Sequence, residues 1–308
     1  PVAAIAGAVG WNRLPGPQEG AGVTRLDRRG IVLVSILATA ALLTAGSDLR
    51  LLAVGVVLVG ATGWLYLRHH RATEDPVVRI SHLVHPRIRR LHLATGLVLA
   101  CTLGADTFLP LYVRGARGES AALAAFSVAF LTVGWSIAAF VSSRLQDTHP
   151  AERVTLWGTL VAAPGLVLCT AFVVADAPLP FIFAAAFIMG WGTGTVTTST
   201  LAALQERIET HEMGRVNGAH MFVRALSITY GVAIASAVLF AVVERRIGDV
   251  EVVRELLGGE DVSVDGSTRD ALADGFAWAL GVSSVAVTLA VVTATRMVRR
   301  GAPAVAAA

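Results

Sequence analysis

The chain has 308 residues, 55% of them hydrophobic and only 15% charged, with a mean hydropathy of +0.66. These values do not fit a soluble globular protein and describe a polytopic, all-α helical membrane protein. The formal charge of +3 sums over two sides of a bilayer; all 25 basic residues are arginines that flank apolar runs instead of forming one basic face, which argues against nucleic-acid binding.

Pro1–Trp11 reads as the tail of a preceding transmembrane helix, with no signal peptide, so an N-terminal part is expected to be missing. A polar loop follows over Asn12–Arg29. Gly30–Gly46 and Leu51–Leu67 are two short apolar runs joined at Ser47–Arg50, which predicts a transmembrane hairpin over 30–67. Residues 68–90 form a basic loop. In its second half Val77, Val78, Ile80, Leu83, Val84 and Ile88 alternate with Arg and His, as an amphipathic segment lying in the membrane interface would.

Six further spans are predicted within 91–296: Leu91–Tyr112, Ala121–Val141, Val154–Val174, Pro180–Leu204, Gly218–Val243 and Gly275–Thr295. Pro164 should kink the third, because its ring removes a backbone hydrogen bond. Glu244–Asp274 is an acidic loop, and 297–308 a tail. Loops on the side of Asn12–Arg29 carry 17 arginines and the opposite loops 7, with Arg224 inside a span. The richer side is expected to be cytoplasmic, with the C-terminus on it.

Few polar groups interrupt the spans. Asp106 lies about 15 residues into its own, roughly 22 Å from the cytoplasmic edge. A carboxylate in hydrocarbon costs roughly 2.5–3.5 kcal/mol, so it marks a functional site by default. Thr95 and Thr102 share its helical face. Asp106 reads as a proton- or cation-coupling group; the alternative is a helix-end acid, hydrated from outside and paired with Arg114 or Arg117. Arg224, roughly 10 Å from the cytoplasmic edge, shares a face with His220, Ser227 and Gly231. Arg224 and His220 are gate candidates, against a structural reading in which Arg224 snorkels or caps neighbouring helix ends.

Gly190, Gly192 and Gly194 permit close helix packing, and Trp191, Thr193, Thr197 and Thr200 are candidates for a cavity wall. Cys101 and Cys169 fall inside apolar spans and read as small core residues. The histidines at 69, 70, 82, 85 and 92 lack a second ligand cluster, so no metal and no cofactor is expected. No HExxH, GxSxG or phosphate-binding loop supports an enzyme.

With this layout the chain resembles the C-terminal part of a major facilitator superfamily transporter, in particular the fourteen-helix drug:proton antiporters. The hairpin before a six-helix block, the lead-in from Glu74-Asp75-Pro76 to Arg90, and GRVNGAHMFVRALSITYGVAIASAVL (Gly214–Leu239), with Arg224 at the family's arginine position, carry the likeness. LPLYVRGARGESAALAAF (Leu109–Phe126) is similar to the first hairpin of the C-terminal half. Ser227 and Thr229 depart from it, standing where small glycines are usual, and Ser143–Arg153 is only a faint echo of the family's cytoplasmic loop.

The resemblance implies alternating access and proton-coupled efflux of small amphipathic compounds or drugs across the plasma membrane. The implied partners are the lipid bilayer, a small-molecule substrate, protons and the missing N-terminal half of the same chain. A metabolite or siderophore permease of the same fold, or a non-transporting membrane scaffold or sensor, are the alternatives.

Overall fold

The computed structural model describes residues 27–44, 49–73, 76, 78–80, 83, 85–206, 208, 212–248, 255 and 265–301. The expected tail of a preceding helix at 1–11, most of the acidic loop and the C-terminal end 302–308 lie outside them. All regular elements among the described residues are helical: α1 (Arg28–Leu43), α2 (Leu49–Ala72), α3 (Pro86–Asp106), α4 (Ala121–Leu145), α5 (Ala151–Val174), α6 (Leu179–Gln205), α7 (Met213–Ile247) and α8 (Gly266–Gly301), with two short helical segments between α3 and α4. Seven of these stretches are long and apolar enough to cross a membrane. The sixteen-residue α1 is not among them; it is about 24 Å long, short of a hydrocarbon core of about 30 Å.

The last six spans pack together. α6 is largely buried and lies against both α4 and α5, while α8 packs on α3, α5 and α7. Lipid tails are as apolar as leucine, so helices associate here through close packing and a few polar links. The glycines of α6 supply the packing. Gly190 and Gly194 touch the α4 backbone at Leu131 and Trp135, and Gly192 touches α5 at Ala162. A second such seam joins α3 to α7, where a methyl at Gly104 would come within 2.6 Å of the Gly231 carbonyl carbon. Thr155–Ser199 and Thr170–Ser284, both at 2.8 Å, link α5 to α6 and to α8.

Two expectations change. The first predicted span is not one helix: α3 ends at Asp106, a turn follows at Thr107–Phe108, and Leu109–Leu111 leads into a π-helical turn over Tyr112–Ala116. Pro110 is the reason. It stands four residues after Asp106 and has no N–H to give the Asp106 carbonyl. The last span also begins earlier than hydropathy suggests. The Asp265 carboxylate accepts hydrogen bonds from the backbone N–H of Thr268 (2.9 Å) and the hydroxyl of Ser267 (2.7 Å), and so caps a helix that starts at Gly266. These bonds hold the Asp265 carboxyl down at about 2. α5, by contrast, runs unbroken through Pro164.

The hairpin of α1 and α2 touches the bundle through α7. The Tyr230 hydroxyl lies 2.6 Å from Thr44 Oγ1 and 3.2 Å from the Ala41 carbonyl. Of the basic loop, Val78 both donates to and accepts from the Tyr66 hydroxyl, and Arg79 pairs with Glu212 at the start of α7.

Candidate functional site

The break after α3 sets the geometry around Asp106. The carboxylate stands on the last residue of a helix, where the backbone dipole is negative, and it is only 7% exposed. Its Oδ1 has no hydrogen-bond partner, and no arginine among the described residues pairs with it. Arg117 pairs with Asp176 and also reaches the Tyr112 hydroxyl at 3.4 Å. Tyr112 stacks on Phe276 of α8, with ring centres 4.9 Å apart.

The threonines form a buried polar seam between α3 and α6. Thr102 donates to the Val98 carbonyl, and its oxygen accepts from the Thr193 hydroxyl at 3.1 Å. Thr95, Thr102, Thr193 and Thr200 are all buried, and the hydroxyls of Thr95 and Thr200 have no partner. Of the threonines singled out in the sequence, Thr197 lines an open cavity. Trp191 is half-buried and packs on Phe187.

That cavity, of about 530 Å³, lies over α6, with α4 and α7 contributing its walls. Trp135 of α4, Thr197 and Thr198 of α6 and Arg224 of α7 line it, and Asp147 and Glu206 bring two carboxylates. Arg224 is half-buried and, among the described residues, no ion pair holds it, so its charge is available to the cavity. Asp106 does not line this cavity. Ser227 and Gly231, on the same side of α7, instead form the seam with α3, where a methyl at Gly96 would meet the Ser227 hydroxyl at 2.6 Å. At the other end of the bundle a cavity of about 480 Å³ is lined by Tyr112, Arg117, Asp176, Arg269, Asp270 and Asp274, among others.

One pairing was not foreseen. His220 meets His92 of α3, Nδ1 to Nδ1, at 3.1 Å. The partners are 128 residues apart, so no spacing rule could join them. The signal present was a histidine near the same end of two apolar spans. Among the described residues no cluster of three or more metal-ligating side chains forms.

The comparisons bear on this geometry. The family model of the Major Facilitator Superfamily matches residues 51–232. The multidrug transporter protein MdtP of Bacillus subtilis is 29% identical over 140 residues, covering 45% of this chain and 25% of that protein. The drug efflux pump JefA of Mycobacterium tuberculosis is 23% identical over 191 residues, covering 62% of this chain and 36% of that protein. The chain thus spans between a quarter and just over a third of the length of these relatives. Among solved structures it is similar to a bacterial homologue of the human lysosomal transporter Spinster. The inward-facing, occupied form matches with a TM-score of 0.53 at 16% identity, over 81% of this chain and 57% of that one. The inward-facing, unoccupied form matches with a TM-score of 0.54 at 16% identity, over 90% and 66%. This likeness concerns the fold.

Proposed function

This chain belongs to the major facilitator superfamily, whose family model matches more than half of it, and on that premise we propose that it serves proton-coupled efflux of small amphipathic compounds by alternating access. It works with an N-terminal half of the same protein, in the plasma membrane, with the C-terminus in the cytoplasm. The observation that carries the reading is Asp106. A carboxylate buried in a membrane span with an unpartnered oxygen is costly to keep unless it exchanges a proton or cation. The break after α3 supports it, since interrupted helices in transporters place coupling groups at their ends. The names of MdtP and JefA support export of drugs over uptake.

The other residues take roles around it. Arg224 and His220 gate the arginine-rich mouth, and Thr197 contributes to the wall of the cavity there. Thr95, Thr102, Thr193 and Thr200 form the polar seam along which α3 and α6 slide, with Trp191 beside them. The test uses the intact protein in inside-out vesicles under an imposed proton gradient, with a pH-sensitive dye and added cationic drugs. Drug addition should release protons for the wild type and not for Asp106→Asn. Equal responses would remove Asp106 from coupling, and no response to any compound would favour a permease or a scaffold.

A further inference from the structure

The cavity of about 480 Å³ has no part in the function proposed above. It lies at the opposite end of the bundle from Arg224, where the chain leaving α3, the end of α5 and the first turns of α8 meet. Its charges balance. Arg117 pairs with Asp176, and Asp274 pairs with Arg246 at the end of α7. Arg269 and Asp270 are left over; both are exposed, and among the described residues no ion pair holds either. Gly118 helps to place Arg269. Its φ is +67°, and a Cβ there would lie 3.2 Å from Nη1 and 3.3 Å from Cζ of that guanidinium. The arginine thus rests against loop backbone at a spot that a side chain would crowd.

The rest of the wall is apolar. Val173, Ala273 and Ala277 line it beside Tyr112, and Val174, which also lines it, is 69% exposed. Farther along α8, Trp278, Val282, Val285 and Leu289 are all exposed and recur at helical spacing, so they form one apolar stripe. A charged rim above exposed hydrocarbon, with a tryptophan beside it, is the pattern of a helix end at the headgroup level of a bilayer. The charges select the headgroup. A ligand with net charge of either sign would meet one of the two unpaired groups with like charge. A zwitterion answers both: its phosphate takes Arg269, whose planar fork suits it, and its ammonium takes Asp270. A primary ammonium brings three donors to carboxylates. A quaternary one brings none and is held by open aromatic faces instead, whereas the Tyr112 ring is stacked on Phe276 and only 2% exposed.

We infer that this cavity binds the headgroup of a zwitterionic phospholipid with a primary ammonium, of the phosphatidylethanolamine class. The phosphate sits on Arg269, the ammonium on Asp270, and the acyl chains run along the exposed stripe of α8. The lipid covers Val174 and Trp278, apolar surface that a water-soluble zwitterion would leave bare. The site stands apart from the proton-coupled reading and needs neither Asp106 nor the Arg224 cavity.

The test equilibrates the intact, delipidated protein in detergent with equal amounts of phosphatidylethanolamine, phosphatidylcholine and phosphatidylglycerol, and measures retained lipid by native mass spectrometry. Phosphatidylethanolamine should be retained in preference to both others. Arg269→Gln and Asp270→Asn should each weaken its binding about tenfold, as loss of a charge-assisted hydrogen bond does. Arg299→Gln, an exposed arginine at the other end of α8, should leave it unchanged. Equal retention of the three lipids, or a preference that both variants keep, overturns the site. So does stronger retention of phosphatidylglycerol, the mark of a simple anion site. Displacement of the lipid by an equal concentration of water-soluble glycerophosphoethanolamine would remove the lipid as occupant. Should the variants not fold, carbodiimide coupling of the wild type in vesicles containing phosphatidylethanolamine decides. The reagent condenses the lipid amine with a neighbouring carboxylate into an amide and takes up the water as a urea. A lipid amide at Asp270 is expected, and lipid amides only elsewhere refute the site.

Discussion

The α3–α7 seam makes a prediction whose size follows from what a methyl would meet. At Gly104 an added Cβ lies 2.6 Å from the Gly231 carbonyl carbon, and at Gly96 it lies at the same 2.6 Å from the Ser227 hydroxyl oxygen. At Gly60 of α2 nothing lies within 4 Å. The first neighbour is backbone on a packed helix, and α3 and α7 must separate to admit the methyl. The second is a side chain that can rotate away. Overpacking a rigid contact costs about 1–3 kcal/mol, and Ala in place of Gly in an open helix gains up to about 1 kcal/mol. Gly104→Ala should therefore melt several degrees below wild type, at about 2–4 °C per kcal/mol. Gly96→Ala should fall by less, and Gly60→Ala should be unchanged or raised. The assay is thermal unfolding of the intact protein in detergent. If Gly104→Ala and Gly60→Ala melt together, the seam is not close-packed and the argument fails.

Two further outcomes follow from single contacts. Tyr230→Phe removes the hydroxyl that reaches Thr44 and Ala41, so α1 and α2 should loosen from α7. Faster proteolysis within the hairpin, with the six-helix block still protected, is the expected result; an unchanged digestion pattern refutes it. Asp265, held at about 2 by its bonds to Thr268 and Ser267, is depressed in the folded protein. Its stabilisation of the first turn of α8 is thus fully present above the ordinary carboxylate range of about 3.9 and lost as pH falls through about 2. Amide protection at Thr268, corrected for intrinsic exchange, should fall across that window in wild type and stay flat in Asp265→Asn.

The spans were legible because hydrophobic runs of twenty or more residues admit little besides membrane helices, and α4, α5 and α6 begin and end within a few residues of their runs. Hydropathy misjudged places where polar residues remain helical. Gly266–Asp274 is too polar to read as part of a span, yet an N-terminal cap and the continuation of α8 make it helix. The opposite error occurred at Thr107–Phe108, where an apolar run hides a break that Pro110 dictates. Individual site residues such as Asp106 and Arg224 stood out as charges amid hydrocarbon. Their relations did not, because those depend on which helices touch. The link between Thr102 and Thr193 and the contact of His92 with His220 come from residues 91 and 128 positions apart.

The two cysteines carry a practical consequence. Cys101 and Cys169 are free thiols, both buried inside the bundle. Toward a water-borne maleimide the chain is thus close to chemically silent without any engineering. A single cysteine installed at an exposed position such as Ser143 or Ser267 would then report, by labelling from one side of sealed vesicles, which end of the bundle faces which compartment. One at Thr197 or Thr198, on the cavity wall, would report how often that wall is open to water as the protein turns over.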